Sequence, residues 1–161
     1  MIIKLQDAFK LIVTVTISAS AGALGSIFTA SSVPTWYAEL VKPALNPPGW
    51  VFGPVWSGLY ALMGIAAFLV WKKGWARRDV KIALGIFLVQ LALNTAWSVI
   101  FFGLHSPGMA LTEIGFLWAA IVITIIAFAK ISKPAAWLLA PYLAWVSFAT
   151  YLNLGIWMLN S

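Results

Sequence analysis

The sequence predicts an all-α integral membrane protein, a bundle of five transmembrane helices that forms a single domain over residues 1–161. Of its residues, 63% are hydrophobic and only 9% are charged, so the folded chain must be solvated by lipid rather than by water. The apolar runs are long and do not alternate in polarity, which excludes the short alternating strands of a membrane β-barrel. Helices satisfy their own backbone hydrogen bonds and are therefore the predicted spanning elements.

Charged and proline-rich segments separate the runs. The predicted spans lie at 11–30, 50–71, 80–104, 109–129 and 135–159. In the first span, small residues recur at Ser18, Gly22 and Ser26, a spacing that permits close approach of another helix, either within the bundle or from a second copy of the chain. The segment 31–49, here called the lid, is rich in Pro and Trp. Because proline fixes φ and removes a backbone donor, the lid is predicted to be a pre-shaped, non-helical loop.

The basic residues predict the orientation of the bundle. All but one of the ten Lys and Arg residues fall before the first span, or in or next to the second and fourth connections, and the exception is Lys42 in the lid. The positive-inside rule then places the N-terminus in the cytoplasm and the lid and C-terminus outside. The formal charge of +6 is explained by topology, so no nucleic-acid partner is expected. With no presequence before the first span, we expect a multi-pass protein of a prokaryotic cell membrane.

The titratable residues limit the chemistry. The sequence has no Cys, one His and four acidic residues, which leaves too few ligands for a dedicated zinc or di-iron centre. No acid–base pair or activated nucleophile stands out. We therefore expect no metal, no bound cofactor and no ground-state catalysis. Glu113 is interpreted as an interfacial acid near a helix N-terminus, and His105 as a solvated turn residue.

In the third span, polar and aromatic side chains share one helical face. Gln90, Asn94, Trp97 and Phe101 are spaced four, three and four residues apart. Polar side chains at membrane depth rarely face lipid. Two interpretations remain open: the amides hold neighbouring helices together, or they face a ligand.

A second stripe, in the last span, consists of Trp145, Ala149, Leu152 and Ile156, with Asn153 beside it. A small residue one turn from a tryptophan leaves a recess with an aromatic wall, which suits a planar ring system. The same pattern is also compatible with plain helix packing. The second span adds Trp56 and Tyr60, one helical turn apart.

Short sequence blocks occur in a characteristic order along nearly the whole chain. They are Trp36-Tyr37, Lys42-Pro43, Pro47-Pro48, Gly53-Pro54-Val55-Trp56 with Leu59-Tyr60, Gln90-Leu91-Ala92-Leu93-Asn94 with Trp97, Phe101-Phe102-Gly103, and Pro141-Tyr142-Leu143-Ala144-Trp145 with Phe148-Ala149-Thr150 and Leu152-Asn153. In these blocks the chain resembles the translocator protein, or tryptophan-rich sensory protein, family.

The resemblance implies a membrane receptor, sensor or translocator, often a homodimer, whose pocket under the first loop binds porphyrins. Protoporphyrin IX and haem-related tetrapyrroles are the implied ligands, together with isoquinoline and benzodiazepine-type compounds. By matching position, the implied pocket residues are Trp56, Asn94, Trp97, Trp145, Ala149 and Leu152, and the implied lid residues are Trp36, Tyr37, Pro43, Pro47, Pro48 and Trp50. Some family members degrade protoporphyrin in light, and for that reaction Trp56 and Trp145 are the implied catalytic residues.

The sequence departs from the family pattern at two places. Leu45 stands where many members have a tryptophan, and no Lys or Arg follows Tyr151, so cholesterol binding is not carried over. Three functions remain open: porphyrin sensing or translocation, light-driven oxidative breakdown of bound porphyrin, and a lipid-interacting structural role without a specific ligand. The expected partners are a porphyrin or another planar hydrophobic molecule, membrane lipid and a second copy of the chain.

Overall fold

The structure, a computed structural model, describes residues 5–161, and that part of the chain is helical without any strand. Its elements are α1 (Leu5–Ser32), α2 (Trp36–Glu39), a 3₁₀ turn (Gly49–Val51), α3 (Phe52–Trp71), α4 (Arg78–Ser98), a π-helical turn (Val99–Gly103), α5 (Pro107–Ala129), α6 (Lys133–Leu138) and α7 (Ala140–Leu159). Five helical segments are long and apolar enough to cross a membrane, the last of them made of α6 and α7. The prediction of an all-α, five-span membrane protein is confirmed.

The lid differs from its prediction. Residues 31 and 32 continue α1, and Trp36–Glu39 forms one helical turn, in which the Leu40 N–H donates to the Tyr37 carbonyl oxygen. The prediction of a wholly non-helical lid is therefore wrong. The reason is the position of the prolines: none lies between Pro34 and Pro43, so every residue of α2 keeps its backbone donor.

The spans are arranged in a ring. α1 packs against α3 and α4, α4 packs against α5, and α5 packs against both α6 and α7. α3 closes the ring by contacting α6, but it makes few contacts with α7. The second and fifth spans therefore meet at the end of the bundle that carries most of the basic residues, and they diverge towards the lid.

Large side chains fill only one half of this ring. The buried core includes Met63, Phe87, Ile121, Phe128 and Tyr142, which lie towards the basic end of their helices. At the lid end, a smaller cluster forms around Phe101, Ala110 and Ile156. The basic half is thus a close-packed base, and the lid half has room for a cavity.

Small residues bring α1 close to α3. A Cβ atom placed on Gly64 would lie 2.6 Å from the Cα atom of Val15, and one placed on Gly22 would lie 2.2 Å from the ring of Tyr60. Ser18, on the same face of α1, is fully buried and donates to the Thr14 carbonyl oxygen at 2.9 Å. The small-residue face therefore packs within the bundle, and its use between two copies of the chain stays a prediction.

Candidate functional site

A cavity of about 890 Å³ lies beneath the lid, in the half of the bundle where α3 and α7 diverge. Its volume falls within the range of about 300–1,000 Å³ that is typical of small-molecule sites. α1, α3, α4 and α7 form its walls, the π-helical turn and two α5 side chains complete them, and the lid covers it. The lining residues that the sequence analysis did not assign to the site include Val15, Ala19, Ala23, Gly25, Thr29, Lys42, Asn46, Phe52, Ser57, Ser98, Phe102, Ile114 and Leu117.

Most of the sequence-predicted site residues come together around this cavity. Nine of the twelve line it: Tyr37, Pro47, Pro48, Trp56, Asn94, Trp97, Trp145, Ala149 and Leu152. With the exception of Gln90, the residues of the helical stripes in the third and last spans therefore face a common space. Whether these side chains bind a ligand stays a prediction.

The other three predicted residues lie around the lid and not on the cavity wall. Trp36 stacks on the imidazole of His105 with ring centroids 4.4 Å apart. Pro43 abuts α7, where a Cβ atom on Gly155 would lie 2.9 Å from the Pro43 Cβ atom. Trp50 points outward and is 76% exposed. Trp36 and Pro43 thus anchor the lid, whereas Trp50 is placed to contact lipid or interfacial water.

The aromatic walls are held in defined orientations by ring contacts. Trp56 stacks on Tyr60 with centroids 5.5 Å apart, and Trp97 stacks on Phe101 at 4.9 Å. Trp145 meets Phe52 edge to face at 5.9 Å. These separations lie in the favourable range for aromatic pairs, so the indoles are pre-oriented before any ligand enters.

The π-helical turn at Val99–Gly103 presents two consecutive phenylalanines, Phe101 and Phe102, to the same cavity. In a regular α-helix, consecutive side chains point in directions about 100° apart. The wider turn is closed by a hydrogen bond from the Leu104 N–H to the Val99 carbonyl oxygen, and the Ser32 hydroxyl donates to the Phe102 carbonyl oxygen at 2.6 Å. Insertions of this kind are frequent at functional sites, but the sequence carried no signal for this one.

A chain of hydrogen bonds forms the floor of the cavity. The Tyr60 hydroxyl donates to Asn94 Oδ1 at 2.5 Å, Asn94 Nδ2 donates to the Tyr142 hydroxyl at 3.1 Å, and that hydroxyl donates to Gln90 Oε1 at 2.9 Å. This series of hydrogen bonds links α3, α4 and α7. Gln90 is buried away from the cavity, so for Gln90 the helix-packing interpretation is correct and a ligand-orienting role is not supported.

Asn94 can fill both predicted roles, since it links neighbouring helices and also faces the cavity. Its amide group has two donors and two acceptor lone pairs, and the network uses one of each. Because Asn94 also lines the cavity, one N–H and one lone pair remain for a ligand.

Trp97 and Asn153 form a second polar link between α4 and α7. The Trp97 indole N–H donates to Asn153 Oδ1 at 3.0 Å, and Asn153 Nδ2 donates to the Pro107 carbonyl oxygen at 2.8 Å. The polar edge of Trp97 is thus satisfied by the protein. This indole therefore offers a ligand its apolar face.

The lid is held in shape by its own polar groups. The Tyr37 hydroxyl donates to Asn46 Oδ1 at 3.0 Å, and Asn46 Nδ2 donates to the Pro47 carbonyl oxygen at 3.1 Å. Burial raises the pKa of Tyr37, with the hydrogen bond to Asn46 acting in the opposite direction. Tyr37 is therefore a neutral donor at physiological pH, and the link between the two ends of the lid is retained.

Two interpretations of single residues need correction. Glu113 is not an interfacial acid, because it is only 9% exposed and neither of its carboxylate oxygens has a hydrogen-bond partner among the described residues. His105 is exposed but not merely solvated: besides stacking on Trp36, its Nε2 lies 3.3 Å from the Ser32 Oγ. Within residues 5–161, no three His, Asp or Glu side chains are grouped closely enough to hold a metal ion.

Comparison with known proteins gives matches over almost the whole chain. The sequence model of the TspO/MBR family matches residues 13–158. The tryptophan-rich protein TspO of Chlorobaculum tepidum is 48% identical over 141 residues, which cover 88% of this chain and 89% of that protein. The translocator protein of Homo sapiens is 44% identical over 148 residues, covering 90% and 87%. The tryptophan-rich sensory protein of Cereibacter sphaeroides is 36% identical over 145 residues, covering 90% and 89%.

Proposed function

Since the chain belongs to the TspO/MBR family, we propose that it is a membrane sensor or translocator that binds a porphyrin in the cavity beneath the lid. The observation that carries the proposal is the cavity itself, about 890 Å³ in volume and walled by the indoles of Trp56, Trp97 and Trp145. A planar macrocycle gains from burial of its apolar faces and from contact with aromatic rings.

Different parts of the cavity suit the flat apolar face and the polar edge of such a ligand. Ala149 lies one helical turn from Trp145 and leaves a recess beside that indole. Opposite α7, α1 presents small residues such as Gly22 and Ser26, which widen the space in front of the aromatic side chains. Asn94 on the floor offers the polar contact that sets orientation, as a few placed polar groups do in apolar sites.

The lid supports a role in capture and release. Its prolines restrict the backbone, so closing it costs little conformational entropy. Three contacts hold it to the bundle: Trp36 against His105, Pro43 against Gly155, and two hydrogen bonds between the Val41 backbone and the Asn160 side chain. A cover with a restricted backbone can open as a unit when these contacts are released, as sensing or translocation requires.

The proposal is tested by titrating the purified, detergent-solubilised protein with protoporphyrin IX in the dark and following tryptophan fluorescence. Trp145→Phe shrinks the aromatic wall, and Ala149→Leu fills the recess. The loss of one aromatic contact is worth about 0.5–1.5 kcal/mol, so Trp145→Phe is expected to bind roughly two- to twelve-fold more weakly. Ala149→Leu is expected to weaken binding at least several-fold, because the larger side chain occupies space that the ligand needs. Trp137→Phe is the matched control, because Trp137 is 77% exposed and lies in α6, outside the cavity.

Two results would contradict the proposal. The first is quenching that does not saturate and is the same in wild type and all variants, which would mean that porphyrin only partitions into the micelle. The second is saturable binding that neither Trp145→Phe nor Ala149→Leu weakens, which would place the ligand outside this cavity.

Light-driven oxidative breakdown of the bound porphyrin is a second candidate, favoured by one structural observation. Trp56 stacks on Tyr60, and the Tyr60 hydroxyl is hydrogen-bonded through Asn94 to Tyr142. An excited porphyrin beside Trp56 would take one electron from the indole and pass it to dissolved oxygen, which becomes superoxide. The indole radical cation would recover its electron from the macrocycle, and the resulting porphyrin radical cation would combine with superoxide to give an oxygenated product. Tyr60 and Tyr142 place two further oxidisable rings beside this path.

The second candidate is tested by illumination in the presence of oxygen while the main visible absorption band of the porphyrin is followed. We expect the wild type to bleach bound porphyrin faster than the same detergent without protein, and Trp56→Phe and Trp145→Phe to slow the reaction. Equal bleaching with and without protein would rule out this activity and leave the binding proposal intact.

A further inference from the structure

Lys42 is the one charged side chain on the cavity wall within the described part of the chain: no Asp, Glu, Arg or other Lys of residues 5–161 lines it. It is also the single basic residue that the charge pattern leaves on the lid side of the membrane. The positive-inside rule accounts for the other basic residues and gives no reason for this one.

The ammonium group of Lys42 is positioned but not neutralised. Its Nζ lies 4.8 Å from the ring centroid of Tyr37 and donates to the carbonyl oxygens of Leu40 at 3.1 Å and Ala38 at 3.4 Å. The ion pairs of residues 5–161 are Lys72 with Asp7 and Arg77 with Asp79, and neither involves Lys42. Since an ammonium group has three donors, one remains unused.

The surroundings favour a negatively charged partner from outside the protein. Lys42 is half-buried beside a cavity whose other lining is mostly apolar and aromatic, where a charge is less screened than in water. A hydrogen bond that is assisted by charge is about twice as strong as one between neutral groups. A flexible ammonium also acts as a point charge, which suits a mobile carboxylate at the end of a short chain.

We propose that Lys42 makes this cavity selective for planar hydrophobic ligands that carry a carboxylate at one edge. The carboxylate lies at the lid against the unused donor of Lys42, and the ring system extends inward between the indoles. This inference rests on the proposed porphyrin-binding function and narrows it to tetrapyrroles with free acidic side chains, as opposed to their neutral esters.

Lys42 also has a structural role, which the test must distinguish from its proposed role as a countercharge. Its bonds to the Ala38 and Leu40 carbonyl groups cap the end of α2 and so stabilise the lid. Loss of a cap would weaken the binding of every ligand, whereas loss of a countercharge would weaken only the binding of acids. A neutral ligand of the same shape distinguishes the two.

The experiment compares protoporphyrin IX with its dimethyl ester in dark fluorescence titrations of the full-length protein. Wild type, Lys42→Met and Lys42→Arg are measured, with Lys130→Met as a control that removes one exposed charge far from the lid. We expect wild type to bind the diacid at least about ten-fold more tightly than the ester, which is the lower end of the effect of one charged hydrogen bond. Lys42→Met should remove this preference by weakening only the diacid, Lys42→Arg should keep most of it, and Lys130→Met should not change it.

Each contrary outcome overturns the inference in a recognisable way. If Lys42→Met weakens both ligands equally, Lys42 only supports the lid. If wild type binds diacid and ester equally well, the cavity does not select acids, although the proposed function stands. If neither ligand binds saturably to wild type, the proposed function fails together with the inference.

Discussion

A methyl group at Gly22 is expected to disturb both the packing of the bundle and the floor of the cavity. The added Cβ atom of Gly22→Ala would lie 2.2 Å from Cε2 of Tyr60, 2.6 Å from Cδ2 and 2.8 Å from Cζ. Carbon atoms pack at about 3.5–4.0 Å, so the ring must move by roughly 1.3 Å or more. The Tyr60 hydroxyl then leaves Asn94 Oδ1, to which it donates at 2.5 Å.

The magnitude follows from three contributions. Overpacking a close contact costs about 1–3 kcal/mol, and the loss of an interhelical hydrogen bond in a membrane protein costs about 0.6–2 kcal/mol. Replacing a helical glycine by alanine returns about 1 kcal/mol. The free energy of unfolding of Gly22→Ala should therefore fall by roughly 1–4 kcal/mol. Porphyrin affinity should fall with it, because Tyr60 lines the cavity.

Unfolding in mixed micelles of detergent and SDS, followed by circular dichroism, measures this change. Gly85→Ala and Gly115→Ala are the matched controls, since a Cβ atom at either position meets nothing within 4 Å. Both controls should be as stable as wild type or slightly more stable. If Gly22→Ala unfolds like these controls, α1 and α3 do not pack as closely as the structure indicates, and the reasoning is refuted.

A double-mutant cycle measures how much of the stability lost in Gly22→Ala comes from the hydrogen bond between Tyr60 and Asn94. In a Tyr60→Phe background the hydrogen bond to Asn94 is already absent, so Gly22→Ala should cost less there by about the energy of that bond, 0.6–2 kcal/mol. Strictly additive effects would show that the added methyl group acts through packing alone.

Two further substitutions test the buried polar groups. Tyr142→Phe leaves Asn94 Nδ2 and Gln90 Oε1 without a partner and should lower the free energy of unfolding by about 1–3 kcal/mol in the same assay; an unchanged value would mean that the network contributes nothing to stability. Glu113→Met removes a buried carboxylate that has no partner among the described residues and should raise the melting temperature in detergent; a lower one would reveal that Glu113 has a stabilising contact.

The sequence predicted those structural features that depend on one helix at a time. Span length follows from the thickness of the bilayer, and the five spans were therefore predictable. Helical spacing placed Asn94 and Trp97 on one face, and Trp145, Ala149 and Leu152 on another, and all five line the same cavity. For residues of the lid, spacing gave no such guide, and Trp36, Pro43 and Trp50 lie off the cavity wall.

The tertiary structure decided which faces meet. The small residues of α1 fit a helix contact and a cavity wall equally well, and only the position of Tyr60 against Gly22 shows that the face serves both. The π-helical turn that turns Phe101 and Phe102 to the same side, and the burial of Glu113, also had no local signal.

By itself, then, the sequence determined the membrane location, the number of spans, the family and the residues that share a helical face. Only the tertiary structure decided whether a face points to lipid, to a neighbouring helix or to the cavity. In a water-soluble protein the polar side of a helix marks the outside. Helices in lipid are apolar on nearly every side, so polarity does not show which side faces outward. The direction of each face is set by how the neighbouring helices pack.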